Sequence, residues 1–334
     1  MSTACSQTEE TAAARSKVKA RKKARAPFAR DVSVALDPDW RGDLGGAIAD
    51  KHLKLRFAGP EGAPVVLALG GISGDRFVAD EPGKRGWWAD FACAGGGIDL
   101  DEFQVAGADF APLAPDEATP LTPGDYADIL HAGLVEAGVD HLHAFVGSSF
   151  GGMIALEMAR RHPDFVGRIA VLCASHRASP MSAAWRVVQR RIIEFSLLAG
   201  EGERGVDLAR QLAMTTYRTP EEFNSRFKAA DEAGSYLAAR GADYAGKMSA
   251  LRYLTLSAAI DRHDVAPEEI STPALVIGAN SDRLVPIADV RELAARLAGL
   301  VRLETIPSLF GHDAFLKEAE RIRPSLDEFL KERL

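Results

Sequence analysis

The stretch FVGSSFGGMIALEMARRHP (145–163) places Ser149 between two glycines where an apolar run gives way to a helical pattern. A strand that reverses sharply into a helix forces its turn residue into a strained backbone, and small neighbours such as Gly147 and Gly151 keep that turn free of clashes. The Gly-x-Ser-x-Gly spacing therefore predicts a nucleophile elbow, with the Ser149 hydroxyl projecting over a sheet edge. The helix that follows aims free backbone N–H groups and its positive dipole end at the same point, which suits an oxyanion. An ordinary serine-bearing turn reads the same locally, so the rest of the chain has to decide.

Outward from the elbow, apolar runs alternate with helical periodicity. VVLALGG (65–71), FQVAGADF (103–110), HAFVG (143–147), IAVLCAS (169–175), ALVIGAN (274–280) and VRLETI (301–306) read as buried parallel strands. Helical patterns lie between several of them, as at 125–137 and 287–298. This is the pattern of an α/β fold with a mostly parallel, doubly wound sheet. After residue 175 strand signals stop until 274, and helical segments such as WRVVQRRIIEFSLLAG (185–200) and ALRYLTLSAAID (250–261) take over. The expected organisation is a disordered basic tail over 1–27, a core over 28–180 and 265–334, and a helical lid over 181–264.

Length and composition fit that plan, since 334 residues with 47% hydrophobic content can fill one large core with an insertion. A net charge of −7 argues against a nucleic-acid surface on the body of the protein. The run RSKVKARKKARAPFAR (15–30) is the local exception and reads as a solvated tail; Glu9 and Glu10 fit a transit peptide poorly. No apolar run approaches the length of a membrane span and no secretory apolar region follows Met1, so a cytoplasmic location without a membrane partner is expected. Cys5, Cys93 and Cys173 are odd in number and show no C-x-x-C spacing, which predicts neither a disulfide framework nor a zinc site. Cys173 is expected to be a buried thiol. No G-x-G-x-x-G follows the first apolar run, so no dinucleotide cofactor is expected either.

Where a serine elbow is catalytic on such a sheet, an acid and then a histidine follow it in the chain at the ends of late strands. IGANSDRLVP (277–286) places Asp282 just beyond one strand, and IPSLFGHDAFL (306–316) places His312 just beyond the next. Ser149 would attack an acyl carbonyl, His312 would take and return its proton, and Asp282 would hold the imidazole tautomer. His52, His131, His141, His143, His162, His176 and His263 lack this context and form no H-x-x-x-H pair; they are expected to be solvated or structural, with no metal site. The loop LALGGISGDR (67–76) follows an early strand. Its Ile72 main-chain N–H, with that of Phe150, is expected to form the oxyanion hole.

Together these motifs resemble the homoserine O-acyltransferases of methionine biosynthesis, within the α/β-hydrolase superfamily. GISGDR with the later GWWADF (86–91) is similar to the family's oxyanion loop and Gly-Trp-Trp segment, GSSFGGMIALEMA to its elbow, the segment 235–264 to its lid, and GHDAFL (311–316) to its histidine loop. The resemblance implies a double displacement in which Ser149 takes an acyl group from acyl-CoA, a co-substrate rather than a cofactor, and passes it to the γ-hydroxyl of L-homoserine. It also implies a homodimer formed through the lid helices. Homoserine needs a cation for its carboxylate and an acceptor for its ammonium. Arg210 and Asp313 match the family's substrate residues, with Arg218 as the competing cation.

The donor is expected to be acetyl-CoA. Succinyl-type relatives carry an Asp-Trp-Arg-Phe element at the acid loop, whereas this chain reads Asp282, Arg283, Leu284, Val285, with an apolar side chain at the deciding position. One departure bears on the same pocket. Where many members have a Gly-Ser-Thr-Gly-Pro element, this chain reads AGADFAPLAPDEATPLTP (106–123), shorter and without those glycines. The rival expectations are a succinyltransferase acting on homoserine or serine, an esterase with the same triad, and a non-catalytic scaffold.

Overall fold

The computed structural model describes residues 29–48, 51–111, 119 and 121–332; the basic tail over 1–27 and most of the departure after 111 lie outside them. The chain opens with β1 (Ala29–Ala35) and β2 (His52–Ala58), followed by β3 (Val65–Leu69) and a small two-stranded sheet, β4 (Ala92–Cys93) and β5 (Ile98–Asp99). Then come β6 (Gln104–Ala108), α1 (Pro123–Glu136), β7 (Ala144–Ser148), α2 (Phe150–Arg161) and β8 (Ile169–Leu172). Five helices intervene: α3 (Pro180–Leu198), α4 (Gly202–Tyr217), α5 (Pro220–Arg226), α6 (Ala230–Ala245) and α7 (Ala250–Asp261). The chain then returns to the sheet through β9 (Ala274–Ala279), α8 (Ile287–Arg296) and β10 (Val301–Ile306), and ends in α9 (Ala314–Lys317) and α10 (Ala319–Lys331).

The main sheet has the order β1-β2-β6-β3-β7-β8-β9-β10, parallel from β6 to β10 and antiparallel at both edges of β2. All six apolar runs singled out in the sequence are strands of it. β1 and β2 were not among them, because charged residues alternate with apolar ones along ARDVSVA and HLKLRFA. Successive residues of the inner strands point to opposite faces. Leu67, Phe145, Val171 and Val276 therefore join one apolar cluster with α1, α2 and α8, while Val66, Val146, Leu172 and Ile277 join another with α10. Both faces are covered, as a parallel sheet requires.

Local signals account for the helix starts. Thr122 and Asp125 form a reciprocal capping box ahead of α1, and Ser179 caps α3, where Pro180 follows in the first turn. The helices α3, α4 and α6 pack mainly on one another. Since β7, β9 and β10 run parallel, their C-terminal ends share one edge, and the segments leaving them can meet there.

Candidate active site

Ser149 sits at that edge with φ 53° and ψ −119°, a conformation that side chains rarely adopt and that marks a tight strand-to-helix reversal. The glycines around it are steric necessities. A Cβ on Gly147 would lie 2.2 Å from the Gly151 carbonyl oxygen, and one on Gly151 would lie 2.3 Å from the Leu69 carbonyl oxygen. The elbow is thus wedged between β3 and its own helix.

Asp282 leaves β9 buried, and its Oδ1 accepts the backbone N–H groups of Leu284 (2.8 Å) and Val285 (3.0 Å), which fixes the carboxylate. Its Oδ2 accepts from Nδ1 of His312 at 2.7 Å. That bond places the proton on Nδ1 and leaves Nε2 free to accept from the Ser149 hydroxyl, 2.9 Å away. Burial alone would lower the His312 pKa, but the adjacent Asp282 carboxylate, through its charge and hydrogen bond, more than offsets this and raises it.

The two tryptophans of the GWW segment brace this arrangement. The Trp87 indole N–H donates to the Asp75 carbonyl (3.0 Å), and its ring packs on Gly70. Trp88 is buried and donates to the Phe315 carbonyl (2.9 Å), just past His312. Ile72 lines the cavity in front of Ser149, and Phe150 opens α2. Among the described residues neither main-chain N–H donates to a backbone acceptor in a turn or loop.

A cavity of about 220 Å³ opens over Ser149 and His312, walled by α3, α4 and α7. Arg210 on α4 lines it, stacked over the rings of Tyr244 (4.5 Å) and Tyr217 (5.3 Å). Its buried Nε has no hydrogen-bond partner among the described residues. Burial opposes its charge, while Tyr217, Tyr244 and Asp313 more than restore it. Asp313 lines the same cavity, and Arg218 donates to it at 2.6 Å and to Glu222 at 3.1 Å. The competing cation Arg218 is therefore occupied by two carboxylates, whereas Arg210 retains a free donor.

Sequence reasoning missed the polar face of α3. Ser182, Arg186 and Gln189 line the cavity at helical spacing, and Gln189 accepts the Tyr253 hydroxyl at 2.8 Å. Polar residues at i, i+4 and i+7 on a helix that buries Ile193 further along the same side were the available signal. Elsewhere, His143 bonds the Leu330 carbonyl, His162 bonds Asp128, and burial drives the pKa of His263 down to about 3. Cys173 is buried, and burial raises its thiol well above the ordinary range.

This sheet order, with a strained serine after β7 and a histidine beyond the last strand, defines an α/β-hydrolase fold, and the model of the alpha/beta hydrolase fold family matches residues 106–319. Among curated proteins the chain is 37% identical over 312 residues to the homoserine O-succinyltransferase of Xanthomonas campestris pv. campestris, covering 88% of this chain and 85% of that protein. It is 34% identical to the homoserine O-acetyltransferase of Thermus thermophilus, covering 74% and 73%. Among solved structures, the homoserine O-acetyltransferase from Staphylococcus aureus superposes with a TM-score of 0.79 at 26% identity, over 92% of this chain and 96% of that one. The chain belongs to the homoserine O-acyltransferase family, and the resemblance carried by its motifs is a kinship of the whole fold.

Proposed function

We propose that this acyltransferase moves an acyl group from acyl-CoA to the γ-hydroxyl of L-homoserine through an acyl-Ser149 intermediate. The observation that carries the reading is one cavity holding both the Ser149–His312–Asp282 relay and the pair Arg210 and Asp313. In the first half-reaction His312 Nε2 accepts the Ser149 proton as Oγ attacks the thioester carbon. The N–H groups of Ile72 and Phe150 receive the oxyanion, and the CoA thiolate leaves with the proton from His312. In the second, the homoserine hydroxyl gives its proton to His312 and attacks the ester, which regenerates Ser149.

The amino acid supplies what Arg210 lacks. A carboxylate on the unpartnered guanidinium edge gains a charge-assisted hydrogen bond, and the ammonium finds Asp313. Such a product fits a place in methionine biosynthesis. Among the described residues no helix is long and apolar enough to cross a membrane, and we place the enzyme in the cytoplasm. Met181, Val188, Phe195 and Leu198 stand exposed on α3, which supports a homodimer formed through these helices.

The test is thiol release from acyl-CoA with and without homoserine. Release that depends on homoserine and yields O-acylhomoserine supports the transferase. Homoserine-independent release would make the protein an esterase, and none would make it a scaffold.

A further inference from the structure

We infer that Arg218 is a positioning residue: it bolts the end of helix α4 to the histidine loop and so fixes the span between Arg210 and Asp313, the two charges that read the acceptor. The inference rests on the acceptor reading above and assigns the part that keeps it in register.

The two charges stand on separate pieces of the fold. Arg210 belongs to α4, which packs mainly on α3 and α6, whereas Asp313 follows His312 in the loop beyond β10. The ammonium and carboxylate of an α-amino acid hang on one carbon, so covalent geometry fixes their distance. Groups that read both charges at once need a fixed distance too, held by the contacts behind them. The packing of α4 on its neighbouring helices does not set that distance, because those helices belong to the insertion.

Arg218, the residue that ends α4, supplies the missing tie. It is buried, and its Nε donates to Asp313 Oδ2 at 2.6 Å while a terminal nitrogen donates to Glu222 Oε1 at 3.1 Å. Its guanidinium lies over the Phe310 ring at 5.6 Å. No other donor among the described residues holds the Asp313 carboxylate, so Oδ1 is left for a substrate ammonium. A planar fork can engage Asp313 and Glu222 in two fixed directions, which a lysine ammonium cannot.

The neighbours of Arg218 reinforce the joint. The Thr219 hydroxyl donates to the Leu309 carbonyl at 2.6 Å. Gly311 has φ 56° and lies so close to the end of α4 that a Cβ on it would be 2.4 Å from the Tyr217 carbonyl oxygen. Tyr217, Arg218 and Thr219 thus grip Gly311, Asp313 and Leu309, on both sides of His312. The imidazole itself is held from the sheet side, with Nδ1 on Asp282 and Nε2 on Ser149. Loss of the Arg218 bolt therefore falls on the acceptor more than on the reacting atoms.

The experiment compares the parent enzyme with Arg218→Gln and Arg218→Lys, using whichever of acetyl-CoA and succinyl-CoA gives the parent its larger acylation burst. The burst counts active sites, so each rate refers to folded enzyme. Three acceptors follow: L-homoserine, γ-hydroxybutyrate, which lacks the ammonium, and propanolamine, which lacks the carboxylate. In Arg218→Gln, kcat/KM for homoserine should fall about thirtyfold, mostly through KM, against about threefold in the acylation rate. The preference for homoserine over each analogue should shrink by about tenfold. Arg218→Lys keeps the charge without the fork and should regain part of both losses. Where Arg218→Gln does not fold, Arg218→Lys carries the test, with a loss of about threefold expected in the same preference. Equal losses in acylation and in the acceptor step overturn the inference, as does a preference over the analogues that neither variant changes, because a merely structural arginine behaves in that way. The readings beneath it fail differently. A parent without a burst defeats the acyl-enzyme reading, and a parent that uses homoserine no better than the analogues defeats the pairing of Arg210 with Asp313. Either result takes the inference with it before any variant is compared.

Discussion

The sheet edge and the helical wall facing it build one cavity by different means. Ser149, Asp282 and His312 stand on segments leaving β7, β9 and β10, where the parallel ladder fixes the backbone. Arg186 and Arg210 project from α3 and α4, helices that pack mainly on each other and on α6. Reacting atoms need positions good to a fraction of an ångström, which strand ends provide. Recognition of charge tolerates more movement, and side chains on helices can change without disturbing the sheet. On the proposed reading, chemistry is a property of the sheet edge, while recognition of the substrate's charges draws on both regions, Asp313 from the edge and Arg210 from the insertion.

The comparison is broken most severely at the elbow. Ser149→Ala should lower kcat/KM by about 10⁴-fold or more and abolish acyl-enzyme formation. The check is thiol release combined with peptide mass mapping after exposure to acyl-CoA. Labelling that survives on Cys93 or Cys173 would remove Ser149 from the mechanism.

On the helical wall the expected effect is smaller and selective. Arg210→Ala should cost the homoserine half-reaction about 2–4 kcal/mol, because a substrate carboxylate loses its charge-assisted partner. Single-turnover kinetics resolve the two halves. If the acylation burst fell as far as the acceptor step, Arg210 would belong to the first half-reaction and the division between the two regions would fail.

The same division explains what could be read in the amino-acid sequence. Gly147, Ser149 and Gly151 are dictated by one tight turn, so local spacing reveals them, and the order of Asp282 and His312 follows from the strands before them. Arg186 was hidden because its meaning depends on Asp261, which is distant in sequence, and on which face of α3 is turned inward. Each arginine of WRVVQRR (185–191) looks like a solvated charge until Arg186 and Arg190 are seen to share the Asp261 carboxylate. β1 and β2, the antiparallel end of the sheet, escaped for a related reason: charged residues alternate with apolar ones along both, and they lack the continuous apolar run of a strand buried on both faces.

Steric tolerance sharpens the contrast without involving substrate. Gly151→Ala drives a Cβ into the Leu69 carbonyl oxygen and should destabilise the fold by about 1–3 kcal/mol in urea unfolding. Gly246 follows α6 with φ −66°, and a Cβ there meets nothing closer than 3.9 Å. Gly246→Ala should fall within about 0.5 kcal/mol of the parent. Equal effects at the two positions would mean that the elbow is no tighter than the insertion.

The smallest effect is a displacement along the pH axis. Burial pulls the His312 pKa down and the Asp282 carboxylate pushes it up, with a net value above the ordinary 6.5. Catalysis needs the neutral imidazole, so kcat/KM should rise with pH through an apparent pKa above 6.5. Stability runs the other way. A group whose pKa is higher in the folded state stabilises the fold fully below its unfolded value, and that contribution fades as pH rises through the folded value. The enzyme therefore gains activity over the same window in which it loses this part of its stability. Asp282→Asn removes the main opposing charge and leaves Asp313 alone against burial, so the acidic limb of the residual activity should move to lower pH. A pH profile of acyl-enzyme formation for both proteins decides the matter. An unmoved limb in Asp282→Asn would mean that another group sets it, and that the sheet edge does not tune its own base.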